Sequence, residues 1–160
     1  MNKKILVLGG SSLIGSTFAQ YAKNLYDLCL TTHLNPLAEP NFTSVNIDLL
    51  KNSDSITDLI TDYKPNYIIH CVAFPDVDFC ETNQDMANTL HVDRTKEIAQ
   101  ISHKIDSKLI YFSTDAVFDG HFSRKYNECS LKEEAEQVLL PDDSLQPIFC
   151  CLQGTFMRIR

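Results

Sequence analysis

The chain has 160 residues, 44% of them hydrophobic, and a formal charge of −7 at pH 7. That is enough apolar material for one domain with a sizeable core and too little length for a second full one. An acidic balance with both signs interspersed excludes a nucleic-acid or anionic-membrane surface and leaves a small molecule as the expected ligand.

No apolar run approaches bilayer-spanning length, and Met1-Asn2-Lys3-Lys4 leads into a strand-like run rather than a signal peptide. The expectation is a cytoplasmic protein with no membrane contact. The six cysteines form no CxxC pair and the five histidines no HExxH, so the cysteines read as core or surface thiols and no metal is expected.

The first element is Lys3-Lys4-Ile5-Leu6-Val7-Leu8, a run of strand formers that stops at Gly9-Gly10. A helical pattern of Leu13, Ile14, Phe18, Tyr21 and Ala22 begins within a few residues. Strand, glycine turn and helix in this order make a dinucleotide-binding unit. Gly9 permits a sharp turn, Gly15 a close approach of helix to strand, and the free amides at the helix start offer positive partial charge to a pyrophosphate. The same residues also fit a buried first strand followed by an ordinary glycine turn.

Residues 27–32 read as a second strand ending in Thr31, Thr32 and His33. An acid at that end would accept hydrogen bonds from the adenosine ribose and repel a 2′-phosphate, so its absence favours NADP over NAD. Pro36 and Pro40 mark a loop, residues 43–47 a third strand, and Asp48 its polar end. Within residues 53–63, Ile56, Leu59, Ile60 and Tyr63 recur at i, i+3, i+4 and i+7, which predicts an amphipathic helix with Ser53 as its cap. After Lys64-Pro65-Asn66 the continuous apolar run at 67–73 predicts a buried parallel strand. A helix over 84–104, a strand at 108–112 and a candidate sixth strand at 147–152 follow.

Strand and helix alternate, which requires crossover connections. The expected fold class is therefore α/β, a Rossmann-type doubly wound parallel sheet of order 3-2-1-4-5 with helices on both faces. The NAD(P)-binding domain is assigned to residues 1–152 and a C-terminal tail to 153–160.

Four segments then stand together: the loop from Gly9 to Gly15; Asp48-Leu49; His70-Cys71-Val72-Ala73-Phe74 with Val77-Asp78-Phe79-Cys80-Glu81; and Ser113-Thr114-Asp115-Ala116-Val117-Phe118-Asp119-Gly120. The combination resembles the extended short-chain dehydrogenase/reductases, and the last segment is most similar to the dTDP-4-dehydrorhamnose reductases. The likeness runs unbroken over residues 3–120. It implies reduction of a 4-keto nucleotide sugar by NADPH. It also implies that Gly9, Ser11, Ser12, Leu13 and Ile14 hold the pyrophosphate, that Asp48 and Leu49 lie against the adenine, and that Cys71, Val72 and Ala73 line the cofactor. Thr114 matches the hydroxyl that hydrogen-bonds the substrate carbonyl while a tyrosine donates a proton. Without the family, Ser113 and Thr114 read as a polar strand end capping the next turn.

The chain departs from the family in several places. Ser12 fills the position of a middle glycine, which it can do only with a negative φ, and its hydroxyl is then a further candidate for phosphate binding. His70 and His91 occupy two positions where the family has asparagine. The family's Tyr-x-x-x-Lys is incomplete: Ser130 to Glu136 resembles its lysine end and makes Lys132 the candidate catalytic lysine, but four residues earlier stands Glu128, and Tyr126 matches a different, earlier tyrosine. Lys132 otherwise reads as a solvated helix lysine.

The family continues into a smaller substrate domain, which residues 153–160 do not resemble. The expectation is a shortened reductase-type protein of little activity, with a nucleotide sugar as partner if active. Alternatives are a non-catalytic NADP-binding regulatory module, like the beta subunit of methionine adenosyltransferase, or a degenerate fragment. Homo-oligomerisation or a regulatory partner protein is compatible with either.

Overall fold

The strand at the centre of the sheet builds both cores. In the computed structural model, which describes residues 2–37, 39, 41–51, 53–113 and 148–151, β1 (Lys4–Leu8) alternates between two apolar faces. Leu6 and Leu8 pack with Ile56 and Ile60 of α2 (Ser53–Tyr63) on one side. Ile5 and Val7 pack with Phe18, Ala19 and Ala22 of α1 (Leu13–Ala22) on the other. A strand apolar on both faces must be covered on both, and a helix on each side does this. Fully burying each of Leu6, Val7 and Leu8 contributes about 1.5–3 kcal/mol.

β1 lies between β2 (Asp27–Thr32) and β4 (Tyr67–His70). β3 (Thr43–Asn46) lies beyond β2, while β5 (Lys108–Ser113) and β6 (Ile148–Cys151) lie beyond β4. Every pairing is parallel and the order is β3-β2-β1-β4-β5-β6. The anticipated order 3-2-1-4-5 is present, and β6 falls in the stretch marked as a candidate sixth strand. Among the described residues no helix is long and apolar enough to cross a membrane.

Three local expectations need correction. Ser53 is the first residue of α2 rather than its cap. The fourth strand ends at His70, three residues early: the Cys71 N–H still bonds the Leu8 carbonyl at 2.9 Å, and the chain then leaves the sheet. The single helix expected over 84–104 is α4 (Gln84–Asn88), a wide π turn (Thr89–Asp93) and α5 (Arg94–Lys104). The Arg94 N–H reaches back to the Thr89 carbonyl, five residues away, which inserts one residue and shifts the face that follows. A short helix that periodicity did not reveal, α3 (Val77–Thr82), precedes these, with the Asp76 carboxylate accepting from the Phe79 amide at 3.0 Å.

α1 lies so close to the end of β1 that Gly15 tolerates no side chain. A Cβ there would fall well inside contact distance of the Gly9 carbonyl oxygen and 3.0 Å from the Gly10 Cα, and backbone cannot step aside as a flexible side chain can. Gly15→Ala is therefore expected to destabilise the fold by about 1–3 kcal/mol, the usual range for overpacking. Urea unfolding of the two proteins measures it.

Candidate functional site

In a sheet of this order the connections from β1 and β4 leave in opposite directions, opening a crevice beyond their carboxyl ends. The walls here are the turn at residues 9–12 and the loop at 71–74, and they touch. A Cβ on Gly9 would stand 3.0 Å from Val72 Cγ2 and 3.3 Å from the Cys71 carbonyl carbon. Gly9 also has φ +81, a conformation that side chains disfavour.

The turn is wired to the neighbouring strand through Thr31, which is buried. Its Oγ1 accepts from the Gly9 amide at 3.0 Å and its carbonyl from the Gly10 amide at 2.7 Å. Ser12 then caps α1 with φ −71 and ψ 163, so no glycine is needed there. Its Oγ accepts from the Gly15 amide at 3.1 Å, while its own amide donates to the Gly9 carbonyl at 3.0 Å. The Ser12 hydroxyl keeps its proton free to donate. Of the four amides that a helix start leaves without intrahelical acceptors, those of Leu13 and Ile14 have no acceptor among the described residues. Ser11 sits half-buried at the turn, and the Leu13 side chain is 84% exposed beside the two amides.

The far corner of the crevice is formed by the ends of β2 and β3. Asp48 accepts from the Leu50 amide at 3.0 Å and lies 3.4 Å from His33 Nε2 and 3.5 Å from Lys51 Nζ. Desolvation pushes its carboxyl up, but the Leu50 amide, His33 and Lys51 together outweigh it and hold the group below its ordinary value. Leu49 turns its side chain into the core, and its carbonyl accepts from Arg94 Nε at 2.7 Å. Arg94 is held in turn by Glu97 at 2.7 Å.

The wall at 71–74 carries Cys71, Val72 and Ala73. Burial pushes the Cys71 thiol up to about 12, so it is protonated at neutral pH. His70, on β4, is almost fully buried; desolvation first, and the charge of His91 second, push its imidazole down to about 4. Its Nδ1 accepts from the Val72 amide at 3.3 Å, and His91 Nε2 accepts from the Phe74 amide at 3.2 Å.

The sequence-derived residues Gly9, Ser11, Ser12, Leu13 and Ile14 are thus gathered at one turn, with Val72 of the 71–73 wall packed against it. Asp48 and Leu49 stand at the β2–β3 corner. Thr114 and Lys132, with Tyr126 and Glu128, lie outside the described residues. Sequence reasoning missed Thr31 as an anchor of the glycine turn and Arg94 as the clamp on Leu49; neither contact leaves a periodic or spacing signal.

Thr31→Val keeps the side-chain volume and removes the acceptor of the Gly9 amide. The expected loss is about 0.5–1.5 kcal/mol, the net worth of one hydrogen bond to a part-buried donor. Thr31→Ser keeps the hydroxyl and should recover part of it. Urea unfolding of the three proteins tests the assignment.

The comparisons with known proteins bear on family and fold. A family model described as the RmlD substrate binding domain matches residues 3–134. Methionine adenosyltransferase 2 subunit beta of Bos taurus is 32% identical over 120 residues, which is 74% of this chain and 34% of that protein. The dTDP-4-dehydrorhamnose reductase of Aggregatibacter actinomycetemcomitans is 28% identical over 138 residues, 80% of this chain and 46% of that one. Among solved structures, the dTDP-4-dehydrorhamnose reductase of Bacillus anthracis in complex with NADP superimposes with a TM-score of 0.65 at 20% identity, over 87% of this chain and 51% of that one. The chain spans between a third and a half of the length of these relatives. On the residues matched and the fold they share, the chain belongs to the RmlD substrate binding domain family.

Proposed function

We propose that this chain binds NADP(H) across the crevice between β1 and β4. The observation that carries the reading is the cradle at residues 9–15. Gly9 and Gly15 let the end of β1, the start of α1 and the 71–74 loop pack backbone against backbone, and two helix-start amides, of Leu13 and Ile14, have no acceptor among the described residues. Such a site attracts phosphate without lysine or arginine. In this reading Ser11 and the Ser12 hydroxyl complete the phosphate contacts, Asp48 and the Leu49 backbone meet the adenine, and Cys71, Val72 and Ala73 line the nicotinamide side. NADPH, when bound, supplies a hydride. The preference for NADP follows from the end of β2, where Thr31 is spent on the glycine turn and no carboxylate stands. The Asp48 carboxylate stands two residues beyond β3 instead, 3.5 Å from Lys51 Nζ and 3.4 Å from His33 Nε2. Free thiols at Cys29, Cys71 and Cys80 fit a working place in the reducing cytoplasm.

The reaction type we assign to the lineage is reduction of a 4-keto nucleotide sugar, with Thr114 orienting the carbonyl and Lys132 the candidate partner of a proton donor. In this chain that donor is missing, since Glu128 stands four residues before Lys132. Loss of a positioned acid lowers turnover by about 10²- to 10⁴-fold. The same observation, with the identity to methionine adenosyltransferase 2 subunit beta, favours a second reading in which the chain is a non-catalytic NADP-binding module acting on a partner protein.

Fluorescence titration with NADPH and NADH, followed by NADPH oxidation in the presence of dTDP-4-dehydrorhamnose, tests the proposal. NADPH is expected to bind about tenfold more tightly than NADH, a difference of about 1.4 kcal/mol, with oxidation near background. Equal affinities would remove the argument from the end of β2. Oxidation at ordinary enzyme rates that vanishes in Thr114→Ala would show that another group supplies the proton.

A further inference from the structure

After the Cys71 amide bonds to the Leu8 carbonyl, the loop at residues 71–74 has left the sheet, and two imidazoles take over its backbone. The Val72 amide donates to His70 Nδ1 at 3.3 Å, and the Phe74 amide donates to His91 Nε2 at 3.2 Å. An amide only donates, so each receiving nitrogen is bare. His70 therefore carries its proton on Nε2, which faces Thr95 Oγ1 at 3.4 Å, and His91 carries its own on Nδ1. His91 stands in the π turn at Thr89–Asp93, a break of the kind that often marks a functional site. The Phe74 ring closes over the contact, edge-on to His91 at 5.9 Å and 5.0 Å from Phe79.

We propose that His70 and His91 are positioning residues that fix the 71–74 wall of the cofactor crevice, and that protonation of His91 releases this wall and weakens dinucleotide binding in acid. The link to binding rests on the NADP(H) reading above; the fixation of the loop does not.

An imidazolium has no bare nitrogen, so protonated His91 would turn an N–H toward the Phe74 N–H. His91 is half-buried and within reach of solvent protons, whereas His70 is almost fully enclosed. Cys80 of α3 and Asp85 of α4 line the groove that His91 borders, and His70 faces Tyr111 of β5 and Thr95 of α5. Burial disfavours the imidazolium and lowers the pKa of His91, as it does that of His70. The folded loop binds the neutral forms, so the contribution of the two histidines is complete above the ordinary histidine value of 6.5. It is lost as pH falls toward the lowered values, about 4 for His70.

Backbone amide exchange on the free protein, corrected for its intrinsic pH dependence, and titration with acid-stable NADP+ at pH 7.5 and 5.5 test this in wild type, His91→Gln and His91→Phe. Glutamine Oε1 reaches to where Nε2 stands and does not titrate. Wild type is expected to lose about five- to tenfold in Phe74 protection and in affinity on acidification, the worth of one hydrogen bond. His91→Gln should hold its protection at both pH values and show only the affinity change of the 2′-phosphate, which titrates alike in all three proteins. His91→Phe should be poorly protected throughout. Unchanged Phe74 protection in wild type at pH 5.5, or an acid loss that survives in His91→Gln, overturns the proposal. If protection behaves as expected but wild type does not bind NADP+ at pH 7.5, the fixation of the loop holds, and its link to binding falls with the cofactor reading.

Discussion

How closely the first turn of α1 lies on the end of β1 governs the whole carboxyl edge of the sheet. Gly15 packs against the Gly9 carbonyl so tightly that there is no room for a methyl group. Gly9 has positive φ at that contact, its amide donates to Thr31, and a Cβ on it would stand against Val72. One backbone approach therefore ties α1, β2 and the loop after β4 together at a single point. The crevice is a consequence of that packing, and its dimensions are not free to vary without moving all three.

The two-faced burial of the strands has an electrostatic consequence. Because β1, β2 and β4 are apolar on both sides, the polar groups at the carboxyl edge come from strand ends and helix starts. At this edge they are mostly uncharged: amides, a serine hydroxyl and two neutral imidazoles. The Asp48 carboxylate is surrounded by the Leu50 amide, His33 and Lys51, so it stays ionised while leaving little unmatched charge in the crevice. In the proposed reading an anionic ligand would meet oriented dipoles that need no reorganisation on binding, the means by which helix starts hold phosphate with few cations.

The sheet was legible in the sequence because its signals are local. The runs around Leu6, Leu30, Val45, Ile69 and Ile110 all became parallel strands in the expected order. The glycine turn was equally legible, including the condition that Ser12 keep a negative φ. What could not be read depends on geometry across the chain. Thr31 looks like any threonine at a strand end until the Gly9 amide is seen beside it. His70 and His91 stood out as replacements for asparagine, but their shared task of accepting from one loop emerges only when β4 and the π turn are side by side. Periodicity reads 84–104 as one continuous helix because it cannot register one inserted residue.

The central claim is that the turn at residues 9–15 is a phosphate cradle whose unused helix-start amides receive a dinucleotide. Following the backbone amide resonances of the isotopically labelled protein during a titration with NADP+ at pH 7.5 tests it most directly. Saturable shifts are expected, largest at Leu13 and Ile14, extending to Gly9, Ser12 and Val72, and absent from α2. Shifts that fail to saturate, or that saturate while Leu13 and Ile14 stay in place, would contradict it.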